Sequence, residues 1–377
     1  MMGKWIIGIL ALSLFCASGT SYAQEAEQDE ETIFMPFIPH VQFAPLYVGV
    51  ERGFFADANL NVTMEYGDEP LGVDLIASGN MNFGLISGEQ VILSRAQDRP
   101  VQYFYQMFQD FPVGIVSISE AEIMAVEDLR GQPVGIPGRF GASYSGLVAL
   151  LSAHNMTEAD INLQEIGFNA PEVICAGVVS SAVVYINNEP LQIANLAREG
   201  DCGSVTGVTV LPVADAANMV SNGLITSEAV ITENPDLVMR MASAFDDALR
   251  LSIQNPAQAF LDSAVYVENL IPSSEFQTAL EAAALEQSIF LQANPDSTRA
   301  EISEYRRTLR EELGEQFDAE TLLQFDVLLA SIELWDADVL GVMSLEAWET
   351  TQTALLEIGF LEAPIELNLA FTDAFLP

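Results

Sequence analysis

The sequence has 377 residues, 50% hydrophobic and 18% charged, which suits two packed globular domains and excludes a disordered chain. Its 54 Asp and Glu outnumber 13 Lys and Arg, and the net charge of −41 repels nucleic-acid phosphates and anionic lipid surfaces, so neither is expected as a partner. Lys4 is the only lysine and His40 and His154 the only histidines, so beyond the first residues a lysine aldimine, a lysine-bearing phosphate loop and a histidine-rich zinc site are all excluded.

Lys4, the apolar run Trp5 to Phe15 and then Ser21-Tyr22-Ala23 have the layout of an export signal over residues 1–23. The run is shorter than the ~20 residues a membrane helix needs, so a soluble exported protein is expected, in the periplasm or at the outer face of the cell membrane. Cys16 offers a second reading as a lipid anchor, although Ser13-Leu14-Phe15 lacks the small residue such a site wants directly ahead. Residues 24–31 are acidic, lack apolar periodicity and read as a linker.

Thr32 to Phe37 reads as a first buried strand, followed by a turn with Pro39 and His40 and a helix over Ala44 to Arg52 that Gly53 ends. Leu60 to Tyr66 predicts a second strand, Pro70 to Ser78 a helix, Asn82 to Ile86 a strand opening at Ser87 into another helix, and Val101 to Met107 a further strand. This alternation predicts a parallel sheet wrapped by helices. A second such unit contains the strands Pro133 to Ile136, Asn162 to Ile166, Ala182 to Ile186 and Val208 to Val213, with helices from Tyr144 and from Ala170. Asn218 to Ile225 returns the chain to the first unit, and the remainder is helical, with Asn234-Pro235 and Asn255-Pro256 as helix starts. The boundaries read from this pattern are 32–117 plus 224–377 for lobe I and 118–223 for lobe II. Cys175 and Cys202 stand without short-spaced partners, so a disulfide between them and two free thiols both remain open.

Six segments in this order resemble one family: "PLYVGVERGFF" after the first strand, "DLIASGNMNFGLISGEQ" from Asp74, "EDLRGQPVGIPG" from Glu127, "SAVVYINNEP" from Ser181, "NMVSNGLITSE" from Asn218 and "FTDAFLP" from Phe371. The chain resembles the substrate-binding proteins of ABC importers related to the thiamine-pyrimidine and sulfonate receptors. The resemblance implies an α/β, two-lobed periplasmic-binding-protein fold of type II, with parallel-rich sheets, flanking helices and a two-strand hinge. It implies a ligand held between the lobes, a membrane permease as partner, no cofactor and no catalysis; a monomer is expected.

In parallel α/β sheets the loops at the carboxyl ends of strands converge on one crevice. Those loops carry Phe37, His40, Gln42 and Phe43, then Ser87, Glu89 and Gln90, then Phe111, then Phe140, Ser143 and Tyr144, and finally Asn187 and Glu189, the candidate ligand-binding residues. His40 is equally readable as a turn residue and Ser143 as a helix cap. Arg139 is the one cation on these loops, which disfavours sulfonate or nitrate; the aromatic rings favour a planar heterocycle. Within the family that leaves riboflavin first and the thiamine pyrimidine precursor (formylaminopyrimidine or hydroxymethylpyrimidine) second. A pyrimidine-synthase-like enzyme, which in this fold uses a lysine-bound pyridoxal cofactor, is disfavoured because the lysine is missing. Trp335 and Trp348 read as core, His154 as surface, and the Glu301 to Gln316 stretch with Arg306, Arg307 and Arg310 as a solvated helix face.

Overall fold

Strand β1 (Asp29–Pro36) starts inside the stretch read as a linker, pairing in parallel with β2 (Leu60–Gly67) from Asp29 opposite Leu60 onward. Its acids are held by partners distant in sequence: Arg240 meets Asp29 at 2.6 Å and Asn82 Nδ2 donates to both Glu31 oxygens at 3.0 Å. Local composition carries no trace of these partners, and the acidic linker therefore ends before Asp29. The computed structural model describes residues 28–377; the export signal, Cys16 and the rest of the linker lie outside them.

The strands form two five-stranded mixed sheets. In the first, β3 (Phe83–Ser87), β4 (Val101–Gln106) and β10 (Asn222–Ser227) complete the order β2-β1-β3-β10-β4. In the second, β5 (Val113–Ile118), β6 (Pro133–Ile136), β7 (Asn162–Glu165), β8 (Ser181–Tyr185) and β9 (Val208–Pro212) take the order β7-β6-β8-β5-β9. The sheets are parallel-rich with one exception each: β10 runs antiparallel to β3 and β4, and β5 antiparallel to β8 and β9. Each is the first strand after the chain crosses between sheets. Neither crossing contains an α-helix that would bring the strand back to the parallel direction; the return crossing holds only the 3-10 turn Val213–Asp215.

Both sequence boundaries move accordingly. β5 belongs to the second sheet, so the outward crossing lies at 107–112 rather than 117, and β10 starts at Asn222, ahead of 224. Two connections thus join the lobes.

The Asn-Pro helix starts work as capping predicts: Asn234 Oδ1 accepts from Leu237 N at 3.3 Å and Asn255 Oδ1 from Gln258 N at 3.1 Å. Helices Pro235–Gln254 and Pro256–Ser263 bury Met241, Phe245 and Phe260 with Leu46 and Tyr47 of helix Ala44–Glu51 beside the first sheet. Trp335 and Trp348 are fully buried. The helix Arg299–Gly314 departs from the solvated reading at one residue. Arg307 pairs with Glu304 and Glu311 at the surface, but Arg306 is 3% exposed and binds Asp336 at 2.9 Å and Glu333 at 3.0 Å. Helices Ala319–Trp335 and Leu345–Glu357 reach across to helices Glu189–Glu199 and Gly141–Ala153 of the second lobe. In that lobe Cys175 and Cys202 are bridged.

Candidate functional site

A cavity of about 780 Å³, counting its open mouth, lies between the two sheets. It sits where the carboxyl ends of parallel strands meet: Pro36 ends β1 and Phe37 follows it, Asp68 and Glu69 follow β2, Pro137 follows β6, Phe168 follows β7, and Tyr185 ends β8. The antiparallel β10 contributes its amino end, Asn222, to the same floor. Phe108, on the outward crossing, closes one side.

Of the residues expected from sequence, Phe37, Gln42, Phe43, Phe140, Ser143 and Glu189 line this cavity. The others lie elsewhere, for identifiable reasons. His40 Nδ1 accepts from Gln42 N at 3.3 Å, so it caps the turn, and burial lowers its pKa to about 4, keeping the ring neutral. Ser87, Glu89 and Gln90 form a buried network behind the wall. Phe111 is seated against Gly146 in the core of the second lobe. Tyr144 turns outward to Phe360, ring centroids 5.3 Å apart, and donates to Glu158 at 2.8 Å. Asn187 donates to Ser331 at 2.7 Å and so ties the lobes. Ser143 is not a cap: the helix begins at Gly141, after Phe140, and no side chain caps it.

Asp68, Glu69 and Phe168 also line the cavity, from the loops after β2 and β7, which are not among the loops named from the sequence. The carboxyl-end rule covers them equally, and Gly67-Asp68-Glu69-Pro70 directly after an apolar strand was the available signal.

Two rings guard the mouth. Phe37 and Phe168 meet edge to face at 4.9 Å, one from each lobe. Phe37 holds φ at +92°, a conformation costly for an aromatic residue, with its amide donating to Gly67 O at 3.3 Å. Strain of this kind persists where the surroundings over-determine the backbone, and here it sets the ring opposite Phe168.

The electrostatics are one-sided. Asp68, Glu69 and Glu189 line the cavity and, among the described residues, no cation does. Arg139 is held outside by Glu158, at 2.6 Å, and by Glu165. Glu69 accepts from Ser87 N at 2.9 Å, Ser87 Oγ at 2.8 Å and Asn222 Nδ2 at 2.8 Å. Glu189 accepts from Tyr185 N at 3.1 Å, and burial raises its pKa to about 7.

A pH dependence follows from Glu189. Its folded pKa lies above the unfolded carboxylate value, so its stabilising contribution is complete below about pH 4 and is lost as pH rises through about 7. Melting curves of the ligand-free protein between pH 5 and 9 are expected to fall less steeply for Glu189→Gln than for wild type; parallel profiles would refute this.

A family model described as NMT1/THI5 like matches residues 40–259. The riboflavin-binding protein RibY of Chloroflexus aurantiacus is 31% identical over 92% of this chain and 86% of that protein. The formylaminopyrimidine-binding protein of Halalkalibacterium halodurans is 26% identical over 67% of this chain and 76% of its own length. A 4-amino-5-hydroxymethyl-2-methylpyrimidine phosphate synthase of Aspergillus parasiticus is 24% identical over 58% and 65% respectively. Among solved structures, the ligand-binding component of an ABC-type import system from Staphylococcus aureus superposes with a TM-score of 0.58 at 11% identity, covering 92% of this chain and 98% of that one.

Proposed function

The chain belongs to the NMT1/THI5-like family, and from that premise we propose that it is the exported solute-binding component of an ABC importer, a non-enzyme that captures riboflavin and delivers it to a membrane permease. The observation that carries the reading is the composition of the inter-lobe cavity: aromatic rings from both lobes, carboxylate and amide acceptors, and no cation among its lining residues. A flat ring system slotted between aromatics gains ~0.5–1.5 kcal/mol per stacked pair beyond burial. Glu69, Glu189 and Gln42 supply acceptors for ring N–H and side-chain hydroxyl donors. A sulfonate or nitrate would meet carboxylates where it needs cations. Lysine is absent from the cavity, which leaves no anchor for a pyridoxal aldimine.

The formylaminopyrimidine precursor is the competing cargo, supported by the second relative and by the same acceptors. The RibY relative, more similar and matching more of the chain than the formylaminopyrimidine-binding one, supports the flavin first. A thermal-shift panel separates them: riboflavin is expected to raise the melting temperature by mass action, and a rise with the pyrimidine alone would refute the flavin reading. Phe168→Ala, which opens the mouth at a half-exposed ring, is expected to speed riboflavin release about tenfold in stopped flow while changing the association rate little.

A further inference from the structure

Ser87 presents one hydroxyl hydrogen to two buried carboxyl groups, with Glu69 Oε2 at 2.8 Å and Glu89 Oε1 at 2.6 Å. A single hydrogen cannot serve both contacts. The second short contact closes only if one of the carboxyls carries a proton of its own and donates it to Ser87 Oγ.

The surroundings of the two acids decide which. Glu69 receives three donors, Ser87 N, Ser87 Oγ and Asn222 Nδ2, the environment of an ionised carboxylate. It also faces the uncapped amino end of helix Gly141–Ala153 across the cleft: a Cβ built on Gly141 would lie 2.9 Å from Glu69 Oε2. The positive end of a helix favours negative charge there. Glu89 has the opposite surroundings. It is 1% exposed, its Oε2 has no hydrogen-bond partner, and besides Ser87 only Gln90 Nε2 approaches it, at 3.3 Å. A neutral acid tolerates an unpartnered oxygen far better than a carboxylate does. The remaining titratable groups facing the pair are Tyr103 of β4 and Tyr185 of β8, with Glu189 beyond Tyr185, and none of them is a cation.

We propose that Glu69 is the ionised, specificity-determining acceptor of the cavity, reading a ligand edge that presents N–H or O–H donors, and that Glu89 is a protonated positioning residue that holds Ser87 and Glu69 in place. The proton path is fixed by this geometry: Glu89 Oε1–H donates to Ser87 Oγ, whose hydrogen goes to Glu69 Oε2. Gln42 supplies the second, independent sign of a donor-bearing ligand. It lines the cavity at 5% exposure, and its Oε1 is buried without a partner. Burial pushes both carboxyls upward; at Glu69 the Ser87 and Asn222 donors oppose it, whereas at Glu89 the neighbouring Glu69 adds to it, which agrees with this placement. The inference deepens the riboflavin reading and rests on it for the ligand, but the proton placement stands without it.

Infrared spectra of the ligand-free protein at neutral pH, with riboflavin titrations of the same samples, test both parts. The expected result is a protonated-carboxyl component of the wild-type spectrum that is lost in Glu89→Gln, leaving the one that Glu189→Gln removes. Affinity should drop about tenfold or more in Glu69→Gln and in Glu89→Ala, and Glu89→Gln should recover most of the Glu89→Ala loss, because an amide N–H replaces the acid O–H toward Ser87. A component that survives Glu89→Gln and vanishes in Glu69→Gln would overturn the proposal by reversing the roles, and a band unchanged in both variants would overturn it by leaving both acids ionised. The predicted spectra with no riboflavin binding in wild type would support the proton placement and overturn riboflavin as the cargo.

Discussion

Gly141→Ala is expected to weaken riboflavin binding about 100-fold, close to 2.7 kcal/mol, in a protein that still folds. Gly141 holds φ at +66°, where an alanine is strained by ~1–2 kcal/mol. Its added Cβ would lie 2.9 Å from Glu69 Oε2. That oxygen belongs to a flexible side chain, but Ser87 and Asn222 pin the carboxylate through three hydrogen bonds, one to Oε2 and two to Oε1, so it cannot retreat cheaply. The clash falls between lobes and not within one, so its burden is on closure. Fluorescence titration should register the loss while the ligand-free melting temperature stays within a few degrees; unchanged affinity would mean that this approach of the two lobes is not part of the bound state.

Gly223→Ala is expected to cost about 4 kcal/mol or more of folding stability. Gly223 lies in β10, between β3 and β4, with Ile86 and Gln106 as its partners on either side. A Cβ there would overlap the Tyr103 hydroxyl and the Tyr105 carbonyl oxygen. Tyr103 is fully buried, its hydroxyl donates to Ser221 O at 3.1 Å, and the Tyr105 carbonyl is backbone within the ladder to β10. Neither can move without breaking the sheet. A urea midpoint equal to wild type would contradict the packing described for the first sheet.

The strands were readable wherever a continuous apolar run ends in a turn, because burial on both faces leaves that imprint on the sequence. β6 is predicted at its observed bounds, Pro133–Ile136. What escaped depended on distant partners. Asp29 to Glu31 look like linker until Arg240 and Asn82 are brought beside them. β5 is not among the strands read from the sequence, and the boundary at 117 places most of its residues with the other lobe, because a short apolar run does not reveal which sheet it joins. The carboxyl-end rule located the cavity and gave Phe37, Gln42, Phe43, Phe140 and Glu189, yet it cannot tell a side chain facing ligand from a neighbour facing core. Phe111 and Phe108 illustrate this: both lie on the outward crossing, one packed inward and the other against the cavity. Glu89 was expected in the cavity and stands one hydroxyl behind Glu69, which the sequence reading had skipped. Arg306 misled for a similar reason, since its helix is surface-charged except where Asp336 comes to meet it.

The central claim is that the space between the lobes binds riboflavin. Titrating ligand-free protein into riboflavin while following flavin emission, with calorimetry on the same samples, tests it most directly. The expected result is one saturable site per chain, quenching of flavin emission by the flanking rings and submicromolar affinity, corresponding to about −8 kcal/mol or better. Emission unchanged at protein concentrations far above that range, with no heat of binding, would contradict it.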